Sequence, residues 1–223
     1  MEQKTSSFKG FISGGTLKII AIVSMLIDHT AAVLVDPSTV QYTIMRDIGR
    51  LAFPIFCFLL VEGFLHTRDV KKYVIRLGLF ALISEVPFDL AFANSIFNMN
   101  HQNVFFTLFI GLLVLVTIKQ FEHNKIIVVL SIIIGCLAAL FLQTDYSYFG
   151  ILMILFFYLY QKEQVTRAIT VILLNVVLGQ PIAGLSLIPI SLYNGKRGIS
   201  LKYLFYIFYP AHILILYFVR LYA

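Results

Sequence analysis

Apolar residues run almost unbroken along this chain, in long blocks parted by short polar breaks. The blocks lie at 17–36, 48–66, 73–92, 103–119, 125–142, 146–160, 165–179, 182–193 and 202–222. An α-helix rises about 1.5 Å per residue and the hydrocarbon layer of a bilayer is about 30 Å deep, so blocks near 20 residues predict membrane-crossing helices. The pattern therefore predicts an all-α polytopic integral membrane protein of about nine transmembrane helices. A short N-terminal arm, residues 1–16, precedes a single transmembrane helical domain, residues 17–223. The first block does not read as a cleaved signal peptide. It is long, it carries Asp28 and His29, and the "VDPST" that follows lacks a small-x-small cleavage pattern.

Composition agrees. Of the 223 residues, 60% are hydrophobic and the mean hydropathy is +0.91, well above a soluble domain, whose apolar share is nearer half. Charge then sets the orientation, because Lys and Arg are retained in cytoplasmic loops. All of the 17 Lys and Arg except Arg46, Arg50 and Arg220 fall in the arm or in every second loop, which predicts an N-terminus inside and a C-terminus outside. The net charge of +6 follows from this arrangement. It needs no nucleic-acid partner, since the cations are spread over short loops instead of forming a dense patch. Cys57 and Cys136 both lie within predicted spans, and neither a Cys-rich metal site nor a P-loop, GxGxxG or HExxH motif occurs.

The candidate chemistry lies in ionisable residues placed where lipid should be. Each costs roughly 2.5 to 3.5 kcal/mol at the bilayer centre unless it is partnered or wetted. Asp28, His29, Arg50, Glu62, Arg76, Glu85 and Asp89 are such residues. His29 falls roughly 18 Å along the first span, just beyond the midplane on the outer side. Glu85 and Asp89, four apart, share one face in the outer half of the third span. With His101, Gln102, Asn103, Asp145 and Tyr146 from outer loops, they predict a hydrogen-bonding cavity open to the outside with His29 on its floor. His29 then either bonds a neighbouring helix or serves as a general base beside Asp28. Asp28, about 100° away on a helix, either orients that ring or holds another helix. Glu85 and Asp89 either form ion pairs with Arg50 or Arg76 or line the cavity. On the inner side, Arg68, Lys71, Lys72 and Arg76 form one basic group. Asn194, Lys196 and Arg197 form a second, in a Gly-containing turn where backbone N–H groups and cations could receive a phosphate. Each is an ordinary topology signal taken alone, and together they suggest a site for a polyanionic small molecule.

The segments "LKIIAIVSMLIDHTAAVL", "IGRLAFPIFCFLLVEGFLHTRDVKKYVIRL", "ALISEVPFDLAF", "NVFFTLFIGLL", "GLSLIPISLYNGKRG" and "LKYLFYIFYPAHILIL" resemble the TraX family of conjugal-transfer membrane proteins. The resemblance extends over nearly all of residues 17–216. TraX proteins are associated with N-terminal acetylation of pilin subunits, and the first two spans and final "YPAHI" are similar to those of polytopic membrane acyltransferases. The resemblance implies a multi-pass enzyme of a bacterial plasma membrane. It would move an acetyl group from cytosolic acetyl-coenzyme A to an amine or hydroxyl reached from outside, on a pilin-like peptide or a surface glycan. It implies His29 as the catalytic base with Asp28 as its partner, and no metal. Glu85, Asp89, Arg50 and Asn103 would shape the acceptor pocket, with Arg50 pairing with acids or polarising the thioester carbonyl. Arg68, Lys71, Lys72, Arg76, Asn194, Lys196 and Arg197, with Tyr209 and His212 from the last span, would contact coenzyme A. The competing class is a transporter that uses the same acids and His29 as a proton or cation path. No inverted repeat supports it, and the polar residues cluster toward one side.

Overall fold

The computed structural model describes residues 10–199 and 202–222. Most of the predicted N-terminal arm, including Lys4 and Lys9, lies outside the described residues. Helices form where the apolar runs predicted them: α1 (Gly14–Leu34), α2 (Val40–Gly49), α3 (Ala52–His66), α4 (Val70–Ala93), α5 (Val104–Gln120), α6 (Lys125–Phe141), α7 (Ser147–Leu159), α8 (Gln164–Val177), a 3-10 turn (Pro181–Ser186) running into α9 (Leu187–Ser191), and α10 (Lys202–Tyr222). No strand occurs among the described residues. There are only isolated backbone bridges, Ile12 with Tyr193 and Gln102 with Thr144.

Polar residues at the block edges start the helices. The side chains of Ser13, Thr39, Asp69, Asn103 and Asn124 accept backbone N–H groups in the first turns of α1, α2, α4, α5 and α6. Such caps matter more here than in water, since an unbonded N–H near lipid has nothing else to bond. Asn94, in the left-handed region at φ 52°, ends α4. By length and composition, Gly14–Leu34, Val40–His66 and Phe205–Tyr222 can each cross a membrane.

Two expectations change. The second block does not begin at residue 48. Instead α2 is a separate amphipathic helix with Val40, Ile44 and Ile48 exposed at i, i+4 and i+8, and α3 follows almost in line. The eighth block, 182–193, is no regular membrane-length helix. Pro181 begins a 3-10 turn and Pro189 lies in a five-residue helix, each lacking the N–H a long helix would use. A 3-10 turn rises about 2.0 Å per residue, so the segment still connects the two ends of the bundle: Pro181 lies with Arg46 and Arg50, and Tyr193 pairs with Ile12.

The most buried helix is α3. Phe53, Ile55, Phe58, Val61 and Phe64 are enclosed, with α1, α5 and α7 packed around them. At the periphery, α6 buries only Gly135 and Ala139 and leaves Ile126, Ile134, Leu137 and Phe141 exposed. A face this apolar suits hydrocarbon better than water. The start of α1 and residues 192–198 share one end of the bundle, called basal below: Gly14 and Gly15 N–H donate to the carbonyls of Lys196 and Arg197 at 2.8 and 2.9 Å. The end of α1, α2, and the loops before α5 and α7 share the opposite, distal end.

Candidate functional site

His29 lies in the distal half of α1, where α10 packs against it. Its Nδ1 is 2.7 Å from His212 Nε2, and the two rings lie within 2° of parallel. His212 Nδ1 in turn is 2.6 Å from the Phe208 carbonyl oxygen. A carbonyl only accepts, so His212 Nδ1 carries a proton. In the neutral pair His212 Nε2 is then the acceptor and His29 Nδ1–H the donor. The chain of bonds leaves the lone pair of His29 on Nε2. That is the arrangement of an oriented general base, with a second imidazole in the place a carboxylate usually takes.

A cavity of about 190 Å³ opens beside this ring, lined among others by Asp28, Arg46, Arg50, His101, Asp145 and Tyr209. Asp28 turns away from the imidazole. Its Oδ2 accepts from Arg46 Nη1 at 2.5 Å, while Oδ1 is buried with no hydrogen-bond partner. Gly49 permits this approach, since a Cβ there would fall 2.2 Å from Asp28 Oδ1. Arg50 and Tyr146 both line the cavity, and the Tyr146 ring stacks on Phe53 with 3.6 Å between centroids. Asp145 faces His101 at 3.8 Å. Tyr209 lines the same cavity, and its ring meets His29 edge-on at 5.8 Å.

Of the acceptor-pocket residues expected from sequence, only Arg50 lines this cavity. Glu85 Oε2 accepts from both the backbone N–H and the side-chain amide of Asn103, which also donates to the Ala81 carbonyl. Asn103 Oδ1 caps α5 through Phe105 N–H at 3.0 Å. Asp89 Oδ2 accepts Asn98 N–H at 2.7 Å. These acids therefore fasten the loop between α4 and α5, and neither pairs with Arg50 or Arg76. Tyr209 and His212, expected beside coenzyme A, instead contact His29.

At the basal end the picture is mixed. Arg68, Lys71 and Lys72 are exposed around the start of α4. Lys72 and its N–H hold Asp69, whose carboxyl is thereby kept below its ordinary range. Arg76 lies over the rings of Tyr73 and Tyr206 at 5.5 and 5.3 Å. It shares electrostatic reach of Lys18 with Arg197, so cations from α1, α4 and the 193–198 turn converge. Asn194 Oδ1 accepts Lys196 N–H at 2.9 Å, and the Lys196 and Arg197 carbonyls cap α1. Arg46 and Lys18 were read from sequence only as charge markers. The signal for Arg46 was its i,i+4 spacing with Arg50 on an amphipathic helix. No group of three or more His, Cys, Asp or Glu placed to hold a metal ion occurs among the described residues.

The profile described as TraX protein matches residues 13–220. The chain is 32% identical over 229 residues to the "Probable fimbrial assembly protein FimC, serogroup H1" of Dichelobacter nodosus, covering 90% of this chain and 92% of that protein. No solved structure matches.

Proposed function

The chain belongs to the TraX family, and on that premise we propose that it is a membrane-embedded acetyltransferase in which His29 is the general base. The observation that carries this reading is the hydrogen-bond chain from Phe208 through His212 to His29, which leaves Nε2 of His29 unprotonated beside a cavity. Acetyl-coenzyme A is the donor, and the protein resides in a bacterial plasma membrane with its basal end in the cytosol. The basal cations Lys18, Arg76 and Arg197 suit the donor's phosphates. The path from inside to outside counts nine passes, the eighth being the irregular segment 181–193, with the C-terminus outside.

In the reaction, an acceptor amine or hydroxyl attacks the thioester carbonyl while its proton passes to His29 Nε2. The new C–N or C–O bond forms as the carbonyl π electrons move onto oxygen. The Tyr209 O–H is placed to donate to that oxygen, the kind of preorganised donor that favours developing charge. When the intermediate collapses, the C–S bond breaks and the proton on His29 Nε2 neutralises the departing thiolate. Asp28, held by Arg46, fixes the distal end of α1 and hence the height of His29.

The relative named for fimbrial assembly supports a surface appendage subunit as acceptor and a role in pilus assembly or conjugation. A proton or cation path fits less well. The ionisable groups around His29, namely Asp28, His101 and Asp145, gather at the distal end instead of forming a ladder from end to end. Calorimetric titration of acetyl-coenzyme A into the detergent-solubilised protein tests the donor assignment. Micromolar binding that weakens at least tenfold in Arg76→Gln is expected, and no binding at millimolar ligand would overturn it.

A further inference from the structure

The His29 cavity has a polar distal mouth and a closed basal floor. At the mouth stand His101 and Asp145, whose side chains are 53% and 36% exposed. The floor is formed by Met25 on α1, Phe88 on α4 and Tyr209 on α10, which all line the cavity and are all buried. The donor proposed above comes from the basal end, so its thioester has to enter through this floor.

Met25 is where the floor can yield. It precedes His29 by four residues and shares its face of α1. Side chains on a helix lean toward its N-terminus, here the basal end. Buried Leu17 and Ala21 continue the same stripe toward that end in four-residue steps. Lys18, the α1 member of the basal cation group, is seven residues below Met25, about 10 Å along the axis. Met25 thus stands between the site for the donor's phosphates and the base. The rings beside it are held by other rings: Phe88 packs on Phe92 at 4.9 Å and on His101 at 5.6 Å, and Tyr209 meets Phe105 edge-on at 4.9 Å. Methionine is unbranched, with three rotatable bonds, and adapts to the shape of a neighbour. The cavity it borders holds about 190 Å³, a space that acceptor and acyl group must share.

We propose that Met25 sets the length of the acyl group that this protein transfers. The acyl chain of the bound donor lies against the Met25 side chain, which gives way for an acetyl methyl but not, among its packed neighbours, for a chain two methylenes longer. The bonds made and broken are those of acetyl transfer: the acyl carbon leaves sulfur for the acceptor's nitrogen or oxygen, and coenzyme A departs as the thiol. This assignment rests on the acetyltransferase reading and adds to it the residue that selects the donor.

The test uses the full chain in phosphatidylcholine nanodiscs, with acetyl- or butyryl-coenzyme A as donor and the amidated peptide Gly-Ala-Asn-Ala as acceptor probe. Product is read by mass spectrometry. In the wild type, kcat/KM is expected to be at least about tenfold higher for the acetyl donor. Met25→Ala narrows that ratio to about threefold or less through better use of the butyryl donor, and Met25→Leu, close to methionine in volume, keeps the preference. Met153→Ala is the packing control. Met153 is fully buried on α7 and outside the lining of this cavity, so its truncation leaves the ratio unchanged. Equal use of both donors by the wild type, a ratio that survives Met25→Ala, or an equal shift in Met153→Ala would each overturn the proposal. Should no donor be consumed, the acetyltransferase reading falls first. Calorimetric titration of the two thioesters then decides this one. A preference for acetyl-coenzyme A that is lost in Met25→Ala and kept in Met153→Ala supports it; an unchanged preference, equal affinities in the wild type, or binding of neither thioester overturns it.

Discussion

His29 Nδ1 and His212 Nε2, 183 positions apart in the chain, lie 2.7 Å from one another, and that contact joins the first and last helices of the bundle at the proposed reaction centre. A histidine that orients another histidine gives a base without placing a carboxylate in lipid. His212 is a positioning residue, because it acts through the ring of His29. His212→Ala is expected to lower kcat by about 10- to 100-fold with little change in KM for acetyl-coenzyme A. His212→Gln should recover much of the loss, since its amide oxygen can accept the His29 Nδ1 proton. Equal damage from both substitutions would point to a role for His212 other than accepting that proton.

The Asp28–Arg46 pair ties α1 to α2. Truncating either residue strands the other charge where solvent is scarce, so each single change to Ala costs more than the double change relieves. A double-mutant cycle on thermal unfolding in detergent is expected to give a coupling of about 1–3 kcal/mol. Gly49→Ala should mimic loss of the pair, because its Cβ would meet Asp28 Oδ1 at 2.2 Å. Additive single effects would show that the contact contributes nothing.

Glu85 is assigned to architecture. Glu85→Gln keeps an oxygen for both Asn103 donors and should leave kcat within about threefold of wild type. Glu85→Ala strands the Asn103 amide, buried beside α5, and should lower stability by about 1–3 kcal/mol. A Glu85→Gln protein with wild-type thermal stability and no transferase activity would return Glu85 to the chemistry.

Asp69 gives a pH signature outside the membrane. The Lys72 N–H and ammonium hold its carboxyl below the ordinary value of 3.8, so the folded state prefers the ionised form. That stabilisation is complete above the ordinary value and is lost as pH falls through the lowered one. The gap in unfolding temperature between wild type and Asp69→Ala is therefore expected to be constant near neutral pH and to shrink below about pH 4. A gap that widens in acid would contradict the capping role.

Much of this arrangement was legible in the chain. The helix blocks are set by apolar length, and Asp28, His29 and Arg50 stood out because ionisable groups in such blocks are costly. What was hidden depends on which way a side chain turns. Asp28 and His29 are neighbours in sequence, yet a helix sends them to different partners, α2 and α10. Glu85 was expected in a pocket because it shares a face with Asp89, but that face carries the α4–α5 loop, whose position no periodicity reveals. His212 was assigned from its height along α10 and not from the direction it faces. The eighth block was expected to cross as a regular helix, whereas Pro181 and Pro189 break it into a 3-10 turn and a five-residue helix.

Transfer itself is the most direct test of the central claim. Proteoliposomes would receive radiolabelled acetyl-coenzyme A on the basal side and an acceptor peptide with a free terminal amine on the distal side, with wild type and His29→Ala compared at equal incorporation. The account predicts labelled peptide from the wild type. It predicts a rate reduced by about 10²- to 10⁴-fold in His29→Ala, with acetyl-coenzyme A binding retained. Transfer by His29→Ala at the wild-type rate would contradict it.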